Sequence, residues 1–219
     1  MLEHKITDDG SSTLYSSKYE QHYHSIHGAI NESLHVFIRA GFEALAVGNQ
    51  QVDILEIGFG TGLNALLTYF AAKSRRISYT GIEAYPLSEE LLAELNYAQQ
   101  ISEPSAHKIF QQLHQASWNK AVQISPTFTL IKYQGLLQEF NTTGHYDLIY
   151  FDAFAPDTQP ELWTKVVFTQ LFGMTKPGAI LTTYSVKGTV RRYLIEAGFE
   201  VEKIPGPPGK RSMLRARRA

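Results

Sequence analysis

Three glycines alternate at positions 58, 60 and 62, directly after an apolar run that ends at Ile57. Glycine lets the backbone approach a ligand closely and adopt positive φ angles, and a helix that begins at such a turn offers free N–H groups. The segment therefore predicts the cofactor loop of a nucleotide-binding fold, with a glycine turn that binds no ligand as the alternative. Because the dinucleotide fingerprint GxGxxG requires a third small residue where Leu63 stands, the GxGxG spacing disfavours an NAD oxidoreductase.

An acidic residue follows the next apolar run. Glu83 ends that run 25 positions after Gly58, where a carboxylate can accept two hydrogen bonds from a ribose diol. NAD and S-adenosylmethionine both carry such a diol, so Glu83 does not separate them, and a surface carboxylate remains the alternative. We predict the following cofactor-binding positions: Glu56, Gly58, Gly60, Gly62, Asn64, Glu83, Gln134, Gly135, Leu136 and Asp152.

Asp152 stands at the end of a further apolar run, within YDLIYFDAFAPDTQPELW. Ligands bind at the carboxyl ends of such strands, so a carboxylate there favours chemistry, with an aspartate that caps the next turn as the alternative. For methyl transfer to an amine, Asp152 would anchor the ammonium group, help remove its proton and hold the amino group of the cofactor. Phe154 and Pro156 would form an apolar wall, and Pro160 suits the first position of a helix. We predict Asp152 and Phe154 as the catalytic residues.

Residues 1–30 are polar and carry several histidines and tyrosines. Histidines two positions apart on an extended segment share a side, which raises a metal site as an alternative. Since no partner elsewhere shows ligand spacing, we expect no metal. We predict instead an ordered arm or lid that keeps water from the active site, with Tyr23 and His24 in contact with the substrate. The polar cluster comprises Glu20, His22, Tyr23, His24 and His27.

Short β-rich runs alternate with helical stretches along the chain. A helix is predicted from Asn31 as its N-cap, with one face formed by Leu34, Phe37, Ile38, Phe42 and Leu45. The first four β-rich runs are apolar at both odd and even positions, which favours a parallel sheet covered on both faces. The runs are VDILEI (52–57), ISYTGI (77–82), FTLIKY (128–133), YDLIYF (146–151), GAILTTY (178–184), FEVEKI (199–204) and SMLRARR (212–218).

These patterns predict an α/β, Rossmann-like class I methyltransferase fold. Its mostly parallel sheet has seven strands, ends in an antiparallel C-terminal hairpin and carries helices on both faces. The 219 residues, 43% hydrophobic, are expected to form one domain over 1–219. Without a long apolar stretch, a secretory signal or any cysteine, we expect a cytoplasmic protein that does not contact a membrane.

Positive charge gathers at the C-terminal end, where residues 187–219 hold nine basic and three acidic side chains. A polyanion such as RNA would be attracted there, and a solvated basic tail is the alternative. The basic patch comprises Lys187, Arg191, Arg192, Lys210, Arg211, Arg215, Arg217 and Arg218.

Four segments in this order resemble the methyltransferase domain of the bacterial MnmC family and its stand-alone MnmD relatives. They are TDDGSSTLYSSKYEQHYHSIHGAINESLHVFI, ILEIGFGTGLNALLT, YFDAFAPDTQPELW and PPGKRSML. The resemblance implies S-adenosylmethionine as cofactor and methylation of 5-aminomethyl-2-thiouridine at the tRNA wobble position. It also implies that Asp152 lies beside both the cofactor amino group and the acceptor, that Glu83 binds the ribose, and that the glycines form the cofactor loop.

The chain departs from the family in two respects. Leu136 stands where relatives often have an aspartate, which removes an acidic contact to adenine. The chain also has no counterpart of the FAD-dependent oxidase domain of bifunctional MnmC, so we expect no FAD. Lys187, Arg191, Lys210 and Arg211 are predicted to contact the anticodon stem of a tRNA whose wobble base is turned out of the loop. A polyamine-type aminopropyltransferase and a non-catalytic RNA-binding protein remain as alternatives.

Overall fold

The computed structural model describes residues 2–46 and 50–219. In chain order its strands and regular α-helices are β1 (Leu2–Ile6), β2 (Ser12–Ser16), β3 (Gln21–His22), α1 (Ala29–Ser33), β4 (Gln51–Ile57), α2 (Leu63–Ala71), β5 (Arg76–Glu83), α3 (Glu89–Ala93), α4 (Tyr97–Gln100), α5 (Ala106–Gln115), β6 (Ala121–Ser125), β7 (Phe128–Gln134), β8 (Tyr146–Phe151), α6 (Lys165–Gly173), β9 (Thr175–Thr183), α7 (Gly188–Ala197), β10 (Glu200–Pro205) and β11 (Ser212–Arg217). A π-helix covers Leu34–Arg39, and short 3-10 helices cover Phe42–Ala44, Leu137–Glu139 and Pro160–Leu162.

The main sheet has the strand order β10-β11-β9-β8-β4-β5-β7-β6 within the described residues. Strands β9, β8, β4, β5 and β7 are parallel, and β10 and β11 form the predicted antiparallel hairpin beside β9. The predicted α/β class is therefore confirmed, but the predicted number of seven strands is wrong. The eighth strand, β6, pairs antiparallel with β7 at the edge of the sheet, and only Ile124 of its five residues is buried, so it lacks the long apolar run of a buried strand.

Consecutive residues of the central strands enter two different hydrophobic cores. Ile54 and Leu148 pack on one face of the sheet with α2 and α5, whereas their neighbours Leu55 and Ile149 pack on the other face with α6 and α7. This arrangement explains why these strands are apolar at both odd and even positions. It also fixes the carboxyl ends of β4, β5, β7 and β8 at one edge of the sheet.

The N-terminal arm differs from the prediction. Residues 2–22 form a three-stranded antiparallel sheet, β1-β2-β3, although their strands are too short and polar to show a period. The helix predicted to start at Asn31 begins two residues earlier, at Ala29. The Thr7, Ser11 and Asp9 side chains accept the backbone N–H groups of its first three residues, so the cap comes from the arm and Asn31 lies inside the helix.

The predicted continuous helical face to Leu45 is also interrupted. The helix widens into the π-helix Leu34–Arg39, and Phe42 lies in a separate 3-10 turn. Pro160 is predicted at the first position of a helix, and it lies in the first turn of the 3-10 helix Pro160–Leu162. No helix within residues 2–46 and 50–219 combines the length and apolar character needed to cross a membrane.

Candidate active site

A cavity of about 860 Å³ opens at the carboxyl ends of β4, β5, β7 and β8. Its walls include the glycine loop, Glu83, residues 135–139 and Asp152–Ala155. Residues 19–26 of the N-terminal arm also line it. This volume is typical of sites for small molecules and cofactors. The structure therefore brings together residues that stand far apart in the sequence.

The glycine loop passes between the Asp152 backbone and the arm. Gly58 has a φ of 88°, and a Cβ there would lie 2.6 Å from the carbonyl oxygen of Asp152. Gly60 has a φ of 49°, and a Cβ there would lie 3.3 Å from the Tyr23 ring. These two positions need glycine for conformation and for space. Gly62 caps α2 and faces His114 instead of the cavity.

Glu83 lies at the end of β5 with both carboxylate oxygens fixed. One accepts the backbone N–H of Gly60 and the other that of Tyr85, each at 2.9 Å. Burial raises the pKa of the Glu83 carboxyl, and these two hydrogen bonds oppose that shift. Since each oxygen has a second lone pair, the carboxylate can still accept two hydroxyl donors, as binding of a ribose diol requires.

Asp152 is connected to a buried chain of hydrogen bonds. The Asn64 side-chain amide donates to Asp152 Oδ2 and to Glu56 Oε1, each at 2.8 Å, and the Tyr79 hydroxyl donates to Glu56 Oε2 at 2.8 Å. Neither Glu56 nor Asn64 lines the cavity. The predicted direct contact between Glu56 and a cofactor is therefore wrong: its fully buried carboxylate holds Asn64, which in turn holds Asp152.

The Asp152 carboxyl is poised between its two protonation states. Burial, and to a lesser extent the nearby charge of Glu32, raise the pKa of this group to about 7. The Asn64 hydrogen bond and the charge of Lys210 oppose this increase. A carboxyl group that titrates near neutral pH is suited to take up and release a proton in catalysis.

Phe154 lies in an aromatic wall, but its partners are Tyr19 and Tyr23, whereas Pro156, predicted to form the wall with it, does not line the cavity. Its ring centroid lies 4.6 Å from that of Tyr19 and 5.1 Å from that of Tyr23. The Trp163 indole N–H donates to the Phe154 carbonyl oxygen at 2.7 Å, and this bond fixes the turn after β8. Flat apolar surfaces of this kind stack against unpaired nucleobases.

Tyr23 and His24 both line the cavity. His24 is buried, its Nε2 lies 2.9 Å from the Thr61 hydroxyl, and burial lowers the pKa of its ring to about 4. Neutral His24 thus ties the arm to the cofactor loop. Among the described residues, no group of three or more histidines, cysteines or acids is placed to hold a metal ion.

The predicted basic patch is divided in the structure. Lys210 lines the cavity, Lys187 pairs with Asp157, and Arg191 and Arg211 are exposed outside the cavity. Three further members bind protein atoms: Arg215 and Arg217 contact Glu202, and Arg218 donates to backbone carbonyls. Much of this charge therefore contacts protein atoms in the C-terminal hairpin and its neighbours. The phosphate contacts predicted for Lys187, Arg191, Lys210 and Arg211 stay predictions.

Of the three residues around the end of β7 that are predicted to bind the cofactor, two line the cavity. Gly135 and Leu136 line the cavity, whereas exposed Gln134 does not. The sequence analysis missed Tyr19, Glu32 and Tyr184, which also line the cavity. Glu32 stands inside one of the four resemblance segments, but no local pattern distinguishes it from a surface acid.

The residues present fit S-adenosylmethionine. The glycine loop leaves room that a Cβ would fill, and Glu83 offers acceptors for a ribose. The Asp152 carboxylate lines the cavity and offers a further acceptor. A carboxylate in this place suits the ammonium group of the cofactor's methionine part.

Comparisons with known proteins identify the family of this chain. A family model described as S-adenosyl-L-methionine-dependent methyltransferase matches residues 96–219. The chain is 35% identical over 97% of its length to the tRNA 5-methylaminomethyl-2-thiouridine biosynthesis bifunctional protein MnmC of Cupriavidus metallidurans, and it covers 33% of that protein. The MnmC of Pseudomonas entomophila is 34% identical over 94% of this chain, which covers 34% of that protein. The chain thus spans about a third of the length of these curated relatives.

The crystal structure of MNMC2 from Aquifex aeolicus is similar over nearly the whole chain. The TM-score is 0.82 at 26% sequence identity, and the match covers 99% of this chain and 70% of the other. The matched family model extends over more than half of the sequence, including Asp152 and Phe154. The chain therefore belongs to the family of S-adenosyl-L-methionine-dependent methyltransferases.

Proposed function

We propose that the chain transfers the methyl group of S-adenosylmethionine to the primary amine of 5-aminomethyl-2-thiouridine at the tRNA wobble position, giving 5-methylaminomethyl-2-thiouridine. The observation that carries this proposal is the place of Asp152. Its carboxyl lies between the glycine loop and the aromatic wall, with a pKa of about 7 caused chiefly by burial. The name of the MnmC relatives supports the choice of tRNA and of this nucleoside.

The chemistry follows from the groups around the cavity. The cofactor supplies a methyl group on a positively charged sulfur. Asp152 binds the ammonium group of the acceptor and accepts one proton from it, which frees the nitrogen lone pair. The nitrogen then forms a bond to the methyl carbon while the carbon–sulfur bond electrons return to sulfur, and the product is a secondary ammonium. The reaction consumes no FAD.

The remaining walls position the two reactants. Glu83 would hold the ribose of the cofactor, and Gly135 and Leu136 would lie along its adenine. Phe154 and Tyr23 would stack with the acceptor base after it turns out of the anticodon loop. Exposed Arg191 and Arg211 would contact phosphates of the tRNA. The arm would limit access of water to the reacting atoms.

The test is incubation with methyl-labelled S-adenosylmethionine and tRNA from cells that lack this methylation, followed by mass spectrometry of the nucleosides. We expect label only in 5-methylaminomethyl-2-thiouridine. Label in a protein or a small amine, but not in tRNA, would refute the substrate. Cofactor binding without transfer would favour a non-catalytic RNA-binding protein, and propylamine transfer from the decarboxylated cofactor would favour an aminopropyltransferase.

A further inference from the structure

The cavity contains an unusual balance of charge. Lys210 is the one lysine or arginine among the described residues that line it. Six carboxylates line the same cavity: Glu20, Glu32, Glu83, Glu139, Asp152 and Glu161. An acidic surface of this kind suits a cationic cofactor and an acceptor ammonium group. The positively charged Lys210 does not fit that role, so it must have another one.

Lys210 is held in place by the cavity wall. Its Nζ lies 2.7 Å from Glu32 Oε1 and 4.1 Å from the centre of the Tyr184 ring. The other Glu32 oxygen accepts the backbone N–H of Ser25 at 2.7 Å, which fixes the carboxylate in turn. An ammonium group has three donors, so one remains for a ligand after Glu32 and the ring are satisfied.

Lys210 also lies near Asp152. The Tyr184 hydroxyl donates to the carbonyl oxygen of Ala153 at 2.8 Å, and Ala153 directly follows Asp152. The ring that supports the lysine is therefore bonded to the turn that carries the carboxylate. The charges of Glu32 and Lys210 both act on the pKa of Asp152, which agrees with their position at the same end of the cavity.

This arrangement does not favour a phosphate contact for Lys210. Glu32 is buried, and its negative charge offsets that of the lysine at long range. An ammonium group whose charge is offset by a neighbouring carboxylate attracts a polyanion weakly, but it still donates a directed hydrogen bond at short range. The pair is better suited to select a nearby neutral oxygen than to bind RNA phosphates.

We propose that Lys210, positioned by Glu32, donates a hydrogen bond to the C4 carbonyl oxygen of the acceptor base and thereby selects uracil over cytosine. This inference rests on the proposed function. The aminomethyl group is on C5 of the base, next to C4, which carries the carbonyl oxygen. When Asp152 binds the amine, this oxygen therefore comes toward Lys210. Cytosine has an amino group at C4, whose donors would face the ammonium.

The experiment compares two anticodon stem–loops, with 5-aminomethyluridine or 5-aminomethylcytidine at the wobble position. For Lys210→Met we expect kcat/KM on the uridine substrate to fall about 10- to 100-fold, the range for one charge-assisted hydrogen bond. The cytidine substrate should lose little, so the preference for uridine shrinks. Lys210→Arg should keep most of the preference, and Glu32→Gln should lose part of it.

Controls separate this role from others. Lys203→Met changes an exposed lysine on the same hairpin and should leave both rates unchanged, and thermal unfolding checks that each variant is folded. Three results for an active Lys210→Met variant would overturn the assignment. An unchanged preference for uridine would indicate that Lys210 does not contact the base, and equal losses of kcat/KM on both bases with a weaker salt dependence would indicate a phosphate contact. A loss of S-adenosylhomocysteine affinity that matches the loss of kcat/KM would indicate a cofactor contact. A wild-type chain that methylates neither base overturns the proposed function itself.

Discussion

Replacing Asn64 with leucine removes the hydrogen bond that stabilises the ionised Asp152 carboxylate. The Asn64 amide lies 2.8 Å from Asp152 Oδ2, and this bond opposes the burial, so that the pKa of Asp152 is raised only to about 7. A hydrogen bond to a charged group contributes about 1.5–3 kcal/mol, which corresponds to about one to two pH units. In Asn64→Leu the pKa of Asp152 should therefore rise to about 8 or 9.

The titration is measured directly by NMR on protein labelled with ¹³C at the aspartate carboxyl carbons. The signal that disappears in Asp152→Asn identifies the group. Because fewer Asp152 side chains are ionised at pH 7 in Asn64→Leu, kcat/KM at that pH should fall about 5- to 50-fold and recover as the pH rises.

A matched control is Asn141→Leu, the same change at an exposed position, which should leave the Asp152 titration unaltered. If the Asp152 signal in Asn64→Leu titrates at the wild-type midpoint or below it, the claim that Asn64 tunes this carboxylate is wrong.

Three further predictions follow from the geometry. Gly58→Ala should weaken the binding of S-adenosylhomocysteine, measured by calorimetry, about 10- to 100-fold, because backbone strain of this kind costs about 1–3 kcal/mol. The control is Gly173→Ala, where a Cβ meets nothing within 4 Å, and it should bind this ligand as the wild type does. His24 has a pKa of about 4 when folded against 6.5 ordinarily, so the unfolded chain takes up the proton first and stability falls as the pH drops from 6.5 to 4. In His24→Gln, the free energy of unfolding measured with urea should fall less between pH 6.5 and 4 than in the wild type, by up to about 3 kcal/mol at pH 4. The same pH dependence in variant and wild type would contradict the burial of a neutral His24. The Asp152 pKa is about 7 when folded against 3.8 ordinarily, so ionisation destabilises the fold increasingly from pH 3.8 to 7. This difference corresponds to about 4 kcal/mol at pH 8, so Asp152→Asn should raise Tm there by roughly 8–16 °C and leave it unchanged near pH 4. A lower Tm at pH 8 would refute this.

The parts of the fold that the sequence predicted are those with a local signal. Buried central strands carry apolar residues at successive positions, and glycines mark the turn after β4. Since parallel strands end at one edge of the sheet, the meeting of Glu83 and Asp152 with the glycine loop was predictable from strand ends alone. Edge strand β6 and the strands of the arm carry no comparable pattern, because they are short and contain no long apolar run.

The contacts that the sequence did not predict join distant segments. Glu32 and Lys210 are 178 positions apart, and His24 meets the Thr61 hydroxyl across 37 positions. Nothing in the local periodicity distinguishes these residues from surface ones. For the same reason, the local sequence does not show that Glu202 lies beside Arg215 and Arg217 and so divides the basic patch.

The central claim is that this cavity methylates an aminomethyl group through Asp152. The most direct test is a single-turnover reaction of wild type and Asp152→Ala with a stem–loop that carries 5-aminomethyl-2-thiouridine, followed by nucleoside mass spectrometry. We predict 5-methylaminomethyl-2-thiouridine from wild type and no product from Asp152→Ala, with S-adenosylhomocysteine still bound by the variant. Methylation at another atom, or an Asp152→Ala variant that transfers methyl at the wild-type rate, would contradict the account.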